Sequence, residues 1–277
     1  MQKISSVSIL GLGIIGQAWA KNLQADGIST QVWNRTPKDF PGFVPDLVEA
    51  IATSDLIILV VADPAAVASI LDQITPYLNA RHLLVQSSTI SSQWTKTFAK
   101  QVESTGAKFL EAPFTGSKLA AEARQTVFYV GGEKIVVELA EPILKKLSKA
   151  ILHIGPLGSA SSLKLAMNMN IAMVMQSLTE SLAFARKAGI SDEIFFEALK
   201  MNVSRSGVSD LKEPLLRENK FSPQFSLKHM NKDLGLALGD SKAFSLPQLE
   251  ALKAIYNRGM ELGMGDEDFS GLIRLLE

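Results

Sequence analysis

Gly11-Leu12-Gly13-Ile14-Ile15-Gly16 is the stretch that decides the fold. It follows a short apolar run, Val7-Ser8-Ile9-Leu10, and opens a helical pattern over about residues 15–24. Between a strand and a helix, each glycine of such a motif has a task. The first makes a tight turn, the second lets the backbone approach a pyrophosphate, and the third lets helix and strand pack closely. The helix N-terminus adds unpaired N–H groups and the positive end of its dipole. The same residues also suit a tight turn that holds no ligand. The strand–turn–helix context favours the dinucleotide, so Gly11, Leu12, Gly13, Ile14, Ile15 and Gly16 are expected to line its phosphates.

The pattern continues outward from this turn. Residues 30–33, 55–61, 83–86, 108–110, 127–130 and 151–154 read as short strands, with a helix opening near Pro64 and another helical segment between 86 and 108. Apolar runs without alternation predict a sheet covered on both faces, and strand–helix alternation predicts parallel order. After Gly155-Pro156 the pattern becomes helical: 161–188, stopped by Gly189, then 192–201, 226–243 and 248–262. The expected class is α/β, with a Rossmann-type doubly wound sheet over 1–157. A long interdomain helix and an all-α domain for substrate and oligomerisation follow over 158–277. The long helix is apolar on most sides through its first half, which predicts burial between domains or subunits and a homodimer or homotetramer.

Composition narrows the function. Lys plus Arg and Asp plus Glu each number 28, and net charge is zero, so a nucleic-acid partner is not expected. There is no cysteine, which excludes disulfides, thiolate metal sites and cysteine nucleophiles and suits a cytoplasmic location. Lys3 and the apolar residues 7–15 outline a signal peptide, but the ordered glycines and the lack of a small-x-small site argue against it. The apolar run 165–178 carries Asn168, Asn170, Gln176 and Ser177 and is too short and polar for a membrane span. His82, His153 and His229 lack metal-ligand spacing, so no metal is expected. Ser87, Ser88 and Ser91 have no His–Asp pattern beside them, Met167, Met169, Met173 and Met175 read as packing, and Asp266-Glu267-Asp268 reads as a solvated acidic turn.

Two positions bear on the chemistry. Dinucleotide folds that take NAD place an acid at the end of the second strand. Here Asn34, Arg35 and Thr36 stand there, and a cation with a hydroxyl suits a 2′-phosphate, which predicts NADPH. The alternative is that Arg35 is a solvated residue covering the adenine. Lys164 and Asn168 are four residues apart and share a helix face. Periodicity leaves two readings of Lys164 open, a snorkelling lysine at an interface rim and a general acid in a cleft. Asn168 suits a substrate hydrogen bond, a partner for the lysine, or a satisfied interior amide.

Several stretches together resemble the β-hydroxyacid dehydrogenase family, which is 3-hydroxyisobutyrate dehydrogenase-like, and its glyoxylate/succinic semialdehyde reductase branch in particular. They are Gly11–Gly16, Ser88-Thr89-Ile90-Ser91, Glu111-Ala112-Pro113-Phe114-Thr115-Gly116-Ser117, and the run from Gly158 to Asn168 with Lys164 inside it. Phe225-Ser226-Leu227-Lys228-His229-Met230-Asn231-Lys232-Asp233 adds to the reductase likeness. The resemblance implies that Lys164 donates the proton, Thr115 and Gly116 (with Ser117 beside them) hold a substrate carboxylate, and Asn168 helps bind substrate. It places Thr89 beside the nicotinamide, Val61, Ala62 and Asp63 along the cofactor, Phe225 and Asp233 at the substrate, and Lys232 near the cofactor. Three departures stand out. Thr115 replaces a serine, Ala160 replaces the second glycine of a Gly-x-Gly, and Gly116-Ser117-Lys118 replaces the Gly-Gly of the hydroxyisobutyrate branch.

The implied activity is NADPH-dependent reduction of a small carboxylate-bearing aldehyde, glyoxylate or succinic semialdehyde. The alternatives are oxidation of a 3-hydroxy acid such as 3-hydroxyisobutyrate, imine reduction, and a non-catalytic dinucleotide-binding assembly protein. Lys164 speaks against the last two. Met167, where 6-phosphogluconate dehydrogenases carry a histidine, speaks against that relative.

Overall fold

The computed structural model describes residues 4–241 and 243–277; Lys3 and Lys242 lie outside them. Contacts divide the chain into two compact units, Met1–Lys164 and Leu165–Glu277.

The first unit is built on one eight-stranded sheet: β1 (Ser6–Leu10), β2 (Ser29–Trp33), β3 (Leu56–Leu59), β4 (Leu83–Gln86), β5 (Lys108–Glu111), β6 (Phe114–Thr115), β7 (Thr126–Gly131) and β8 (Ser148–Gly155). Its order is β2-β1-β3-β4-β5-β7-β6, with β8 also paired to β7. Helices α1 (Ile14–Ala25), α2 (Leu47–Ala52), α3 (Pro64–Ile74), α4 (Ser92–Glu103), α5 (Lys118–Glu122) and α6 (Lys134–Leu147) connect the strands.

The apolar strand runs have a simple cause. Val7, Ile9, Leu56, Ile58, Leu83 and Val85 pack on one face with Trp19 and Leu23 of α1 and Ile143 and Leu144 of α6. The alternate residues Leu10, Ile57, Leu59 and Leu84 pack on the other face with α2, α3 and α4. Both faces are covered, so polar alternation disappears.

Strands β1 to β5 are parallel, as the sequence predicts, but β7 runs antiparallel to β5 and β6. Parallel order at β7 is therefore corrected. Parallel return needs a crossover of about a dozen residues or more, and residues 116–125 hold one short turn of helix, so the chain folds back beside itself.

Helix α7 (Ser159–Lys187) carries the division between the units. The second unit continues with α8 (Asp192–Lys200), α9 (Gly207–Glu218), α10 (Leu227–Asp240), α11 (Pro247–Glu261) and two short 3-10 segments. Ala172, Met175, Leu178 and Leu182 of α7 recur every three or four residues and enter a core with Phe196, Leu216, Met230, Leu234, Tyr256 and Phe269. Met167 and Phe184 of the same helix are exposed. Among the described residues no helix is long and apolar enough to cross a membrane.

Candidate functional site

Because β1 to β5 are parallel, the loops after them gather at one edge of the sheet. Order β2-β1-β3 reverses direction at β1, and that crevice is where open α/β sheets bind ligands. Gly11 takes φ +113°, and its N–H donates to the Trp33 carbonyl at 2.8 Å. A Cβ on Gly11 would lie 2.2 Å from the Val60 oxygen, and one on Gly16 would lie 1.9 Å from the Gly11 oxygen. Gly13 differs: a Cβ there would meet nothing within 4 Å. Gly13 is also the N-cap of α1 and supplies no side-chain cap, and Ile14 beside it is exposed. The turn thus forms an open cradle bordered by the first N–H groups of α1, which no side chain caps. A dinucleotide pyrophosphate fits that cradle.

The end of β2 is tied to the same turn. Asn34 accepts from the Leu12 N–H at 3.0 Å and donates to the Thr36 carbonyl at 2.8 Å. Its side chain shapes the loop, while Arg35 and Thr36 beside it are exposed. Lys38, absent from the sequence reading, donates to the Leu12 carbonyl at 2.7 Å and adds a second cation to this corner.

After β3, the Val61 N–H donates to the Ser88 hydroxyl at 2.8 Å, joining the loops that hold Val61, Ala62 and Asp63 and Thr89. Asp63 caps α3 through the Ala66 N–H at 2.8 Å. The buried amide of Gln86 spans the Ser88 N–H and carbonyl and holds Thr89 half-buried at the loop. Thr115 ends β6, and Gly116 turns the chain with φ +145°. Ser117 caps α5 through the Ala120 N–H at 3.3 Å, so its hydroxyl already has a structural task. Ala160 is accommodated: it falls inside α7, where no positive φ is needed, and is fully buried. Lys164 sits one turn further on, half-buried.

In the second unit, the buried Asn168 amide donates to Asp233 Oδ2 at 2.6 Å, and Lys232 Nζ lies 2.9 Å from Asp233 Oδ1. Asn168, Asp233 and Lys232 thus form one polar chain. Phe225 is half-buried, edge-on to Phe269 and 6.2 Å from the His229 ring. Burial, then Lys232 and Lys228, push the His229 imidazole below its usual range; its Nδ1 shares a 2.6 Å hydrogen bond with Ser226.

The acidic turn is corrected at one residue. Asp266 is exposed, but Asp268 is buried and receives Lys212 at 2.8 Å, the N–H groups of Gln224 and Phe225, and both donors of Ser270. Asp268 therefore holds the segment that carries Phe225. A charged residue in a polar run gives no sequence sign of this, because its partner Lys212 lies 56 residues away.

Residues 6–155 match the family model described as the NAD binding domain of 6-phosphogluconate dehydrogenase. Residues 158–276 match the NAD-binding model of NADP-dependent 3-hydroxyisobutyrate dehydrogenase. The chain belongs to the β-hydroxyacid dehydrogenase family. It is an NAD(P)-dependent oxidoreductase acting at CH–OH/C=O, with a nicotinamide dinucleotide as cofactor. Glyoxylate/succinic semialdehyde reductase 2, chloroplastic, of Arabidopsis thaliana is 32% identical over 98% of this chain and 79% of its own length. Glyoxylate/succinic semialdehyde reductase 1 of the same plant is 30% identical over 98% of both chains. Among solved structures, a Mycobacterium tuberculosis 3-hydroxyisobutyrate dehydrogenase with L-serine superposes with a TM-score of 0.90 at 26% identity, over 99% of each chain.

Proposed function

We propose that this family member is an NADPH-dependent reductase of small aldehyde acids, glyoxylate or succinic semialdehyde. The observation that carries the reading is Lys164 on the first turns of α7, in a chain about 30% identical to two reductases of that name. The bound reduced nicotinamide supplies a hydride to the carbonyl carbon. Lys164 supplies the proton to the carbonyl oxygen, where an ammonium also stabilises developing negative charge. Thr115 and the Gly116 N–H hold the substrate carboxylate, with Ser117 beside them, and so orient the carbonyl. The family resemblance further assigns Asn168, Phe225 and Asp233 to the substrate and Lys232 to the cofactor. Gly11 to Gly16, Val61 to Asp63 and Thr89 line the dinucleotide; Asn34 shapes the loop that presents Arg35 and Thr36 to the 2′-phosphate, with Lys38 as the second cation. The working form is a homodimer or homotetramer.

The test is oxidation of NADPH and of NADH with glyoxylate, succinic semialdehyde and a cyclic imine, for wild type and Lys164→Ala. Turnover of an aldehyde acid, faster with NADPH, falling by about 10²- to 10⁴-fold in Lys164→Ala, is the expected result. A protein that ignores both aldehydes and oxidises 3-hydroxyisobutyrate with NAD⁺ overturns it.

A further inference from the structure

The fully buried side chain of Glu111 sits at the N-terminus of α7. One carboxylate oxygen accepts the N–H of Gly158 at 2.7 Å and of Ala160 at 3.0 Å. The other accepts the N–H of Ser161 at 3.1 Å and its hydroxyl at 2.6 Å. The Ser161 proton is committed to Glu111, so the Thr95 hydroxyl, 2.7 Å away, donates to Ser161. The site is built to take this acid and no bulk beside it: a Cβ on Gly131, the β7 partner of Glu111, would lie 2.1 Å from Oε1. A carboxylate accepting three N–H groups at a helix start, those of Gly158 just before α7 and of Ala160 and Ser161 in its first turn, is a strong, directional clamp, aided by the helix dipole.

The placement of this clamp links two parts of the chain. Glu111 precedes Thr115 by four residues on the β5–β6 run, and Ser161 precedes Lys164 by three on α7. We propose that Glu111 is a positioning residue, which acts through Lys164 by fixing the start of α7 against the strand that leads to Thr115 and Gly116. The role of Lys164 that it serves rests on the reductase reading above. Holding a proton donor within a fraction of an ångström of its productive place is worth a large factor, because a 1 Å error can cost about a hundredfold.

Glu111→Gln keeps the volume but puts an NH₂ group where an oxygen accepts, leaving at least one α7 N–H without its acceptor. The expected result is a kcat lower by about 10- to 100-fold with KM for NADPH within about twofold. In a Lys164→Ala background the same change adds less than about twofold, because its effect runs through the absent lysine. A purely structural role would give the same loss in both backgrounds, and that result overturns the proposal.

A second readout needs no turnover. With lysines ¹³C-dimethylated and Lys164 assigned by its loss in Lys164→Arg, the NMR titration midpoint of Lys164 moves in Ser161→Ala, which loosens the clamp and leaves the Glu111 charge in place, so that the shift reports position and not the loss of a nearby charge. An unmoved midpoint overturns the proposal whatever the activity. A moved midpoint in a protein that reduces neither aldehyde upholds Glu111 and removes the reductase reading instead. Should Glu111→Gln fail to fold, Ser161→Ala, which removes one of the four bonds and keeps the backbone three, serves the kinetic test as well, with a smaller loss.

Discussion

A methyl group at Gly11 or Gly16 would collide with backbone oxygens at 2.2 and 1.9 Å, whereas one at Gly13 would enter open space. The three glycines of one motif therefore differ in why they are glycine. Gly11 and Gly16 are required by the fold, whereas Gly13, with an ordinary φ of −67° and open space around it, is not, and on the proposed reading it is small for the pyrophosphate. Gly13→Ala should lower stability by about 1 kcal/mol at most, the range of an N-cap exchange, yet raise the Kd for NADPH by about tenfold or more. Gly16→Ala should instead yield little folded protein. Thermal unfolding and fluorescence titration with NADPH separate the two. A Gly13→Ala protein that binds NADPH as wild type does would remove the dinucleotide from that cradle.

At the scale of elements, the first unit is tied together by charges as well as by its sheet. Asp26 at the end of α1 receives both nitrogens of Arg124 at 2.8 and 2.9 Å and Lys146 of α6 at 3.0 Å. The hydrogen bonds from Arg124 and then Lys146 hold its pKa down from 3.8 to about 2. A depressed carboxylate contributes stability above its unfolded pKa and loses it as pH falls through the folded one. Both cations are partly exposed, so screening reduces the gain to about 1 kcal/mol at pH 7. Asp26→Asn should be less stable by that amount at neutral pH, and the gap to wild type should close between pH 3.8 and about 2. Denaturant unfolding at pH 7, 4 and 3 checks it; a gap that widens in acid would assign the ties no role.

The same scale shows what could be read beforehand. Residues 83–86 are legible as a strand because both faces are buried and the run is wholly apolar up to Gln86. α6 escapes the reading although six of its residues are buried at helical spacing, because Pro142 interrupts the pattern. α9 escapes with Pro214 inside and a largely polar surface, and α2 is six residues long. In the candidate site, the glycines are visible since local spacing defines them, whereas spacing leaves Lys164 open between an interface rim and a cleft and only the family resemblance singles it out. Glu111 and Gln86 are named or passed over without a role, because what they do lies in contacts: Glu111 meets residues 47 to 50 positions away. Lys212 and Asp268 are hidden for the same reason, two charges that look solvated until the chain closes around both.

At the scale of the whole molecule, the surface of the second unit carries apolar side chains that an isolated chain would leave in water. Phe184 near the end of α7 is 78% exposed and Met201 after α8 is 79% exposed, with Ile194 and Val203 also exposed on the same run of chain. Apolar groups of this size in consecutive elements are what a protein–protein interface uses, and the homo-oligomer proposed above would cover them with a second copy of the chain. Light scattering at about 20 µM, where a standard-sized interface stays formed, should give the mass of two or four chains. Phe184→Glu with Met201→Glu should shift that mass toward one chain while circular dichroism stays unchanged, since neither side chain enters the core of the unit. Wild type that scatters as one 30.0 kDa chain at every concentration would end the oligomer proposal and leave these side chains to a different partner.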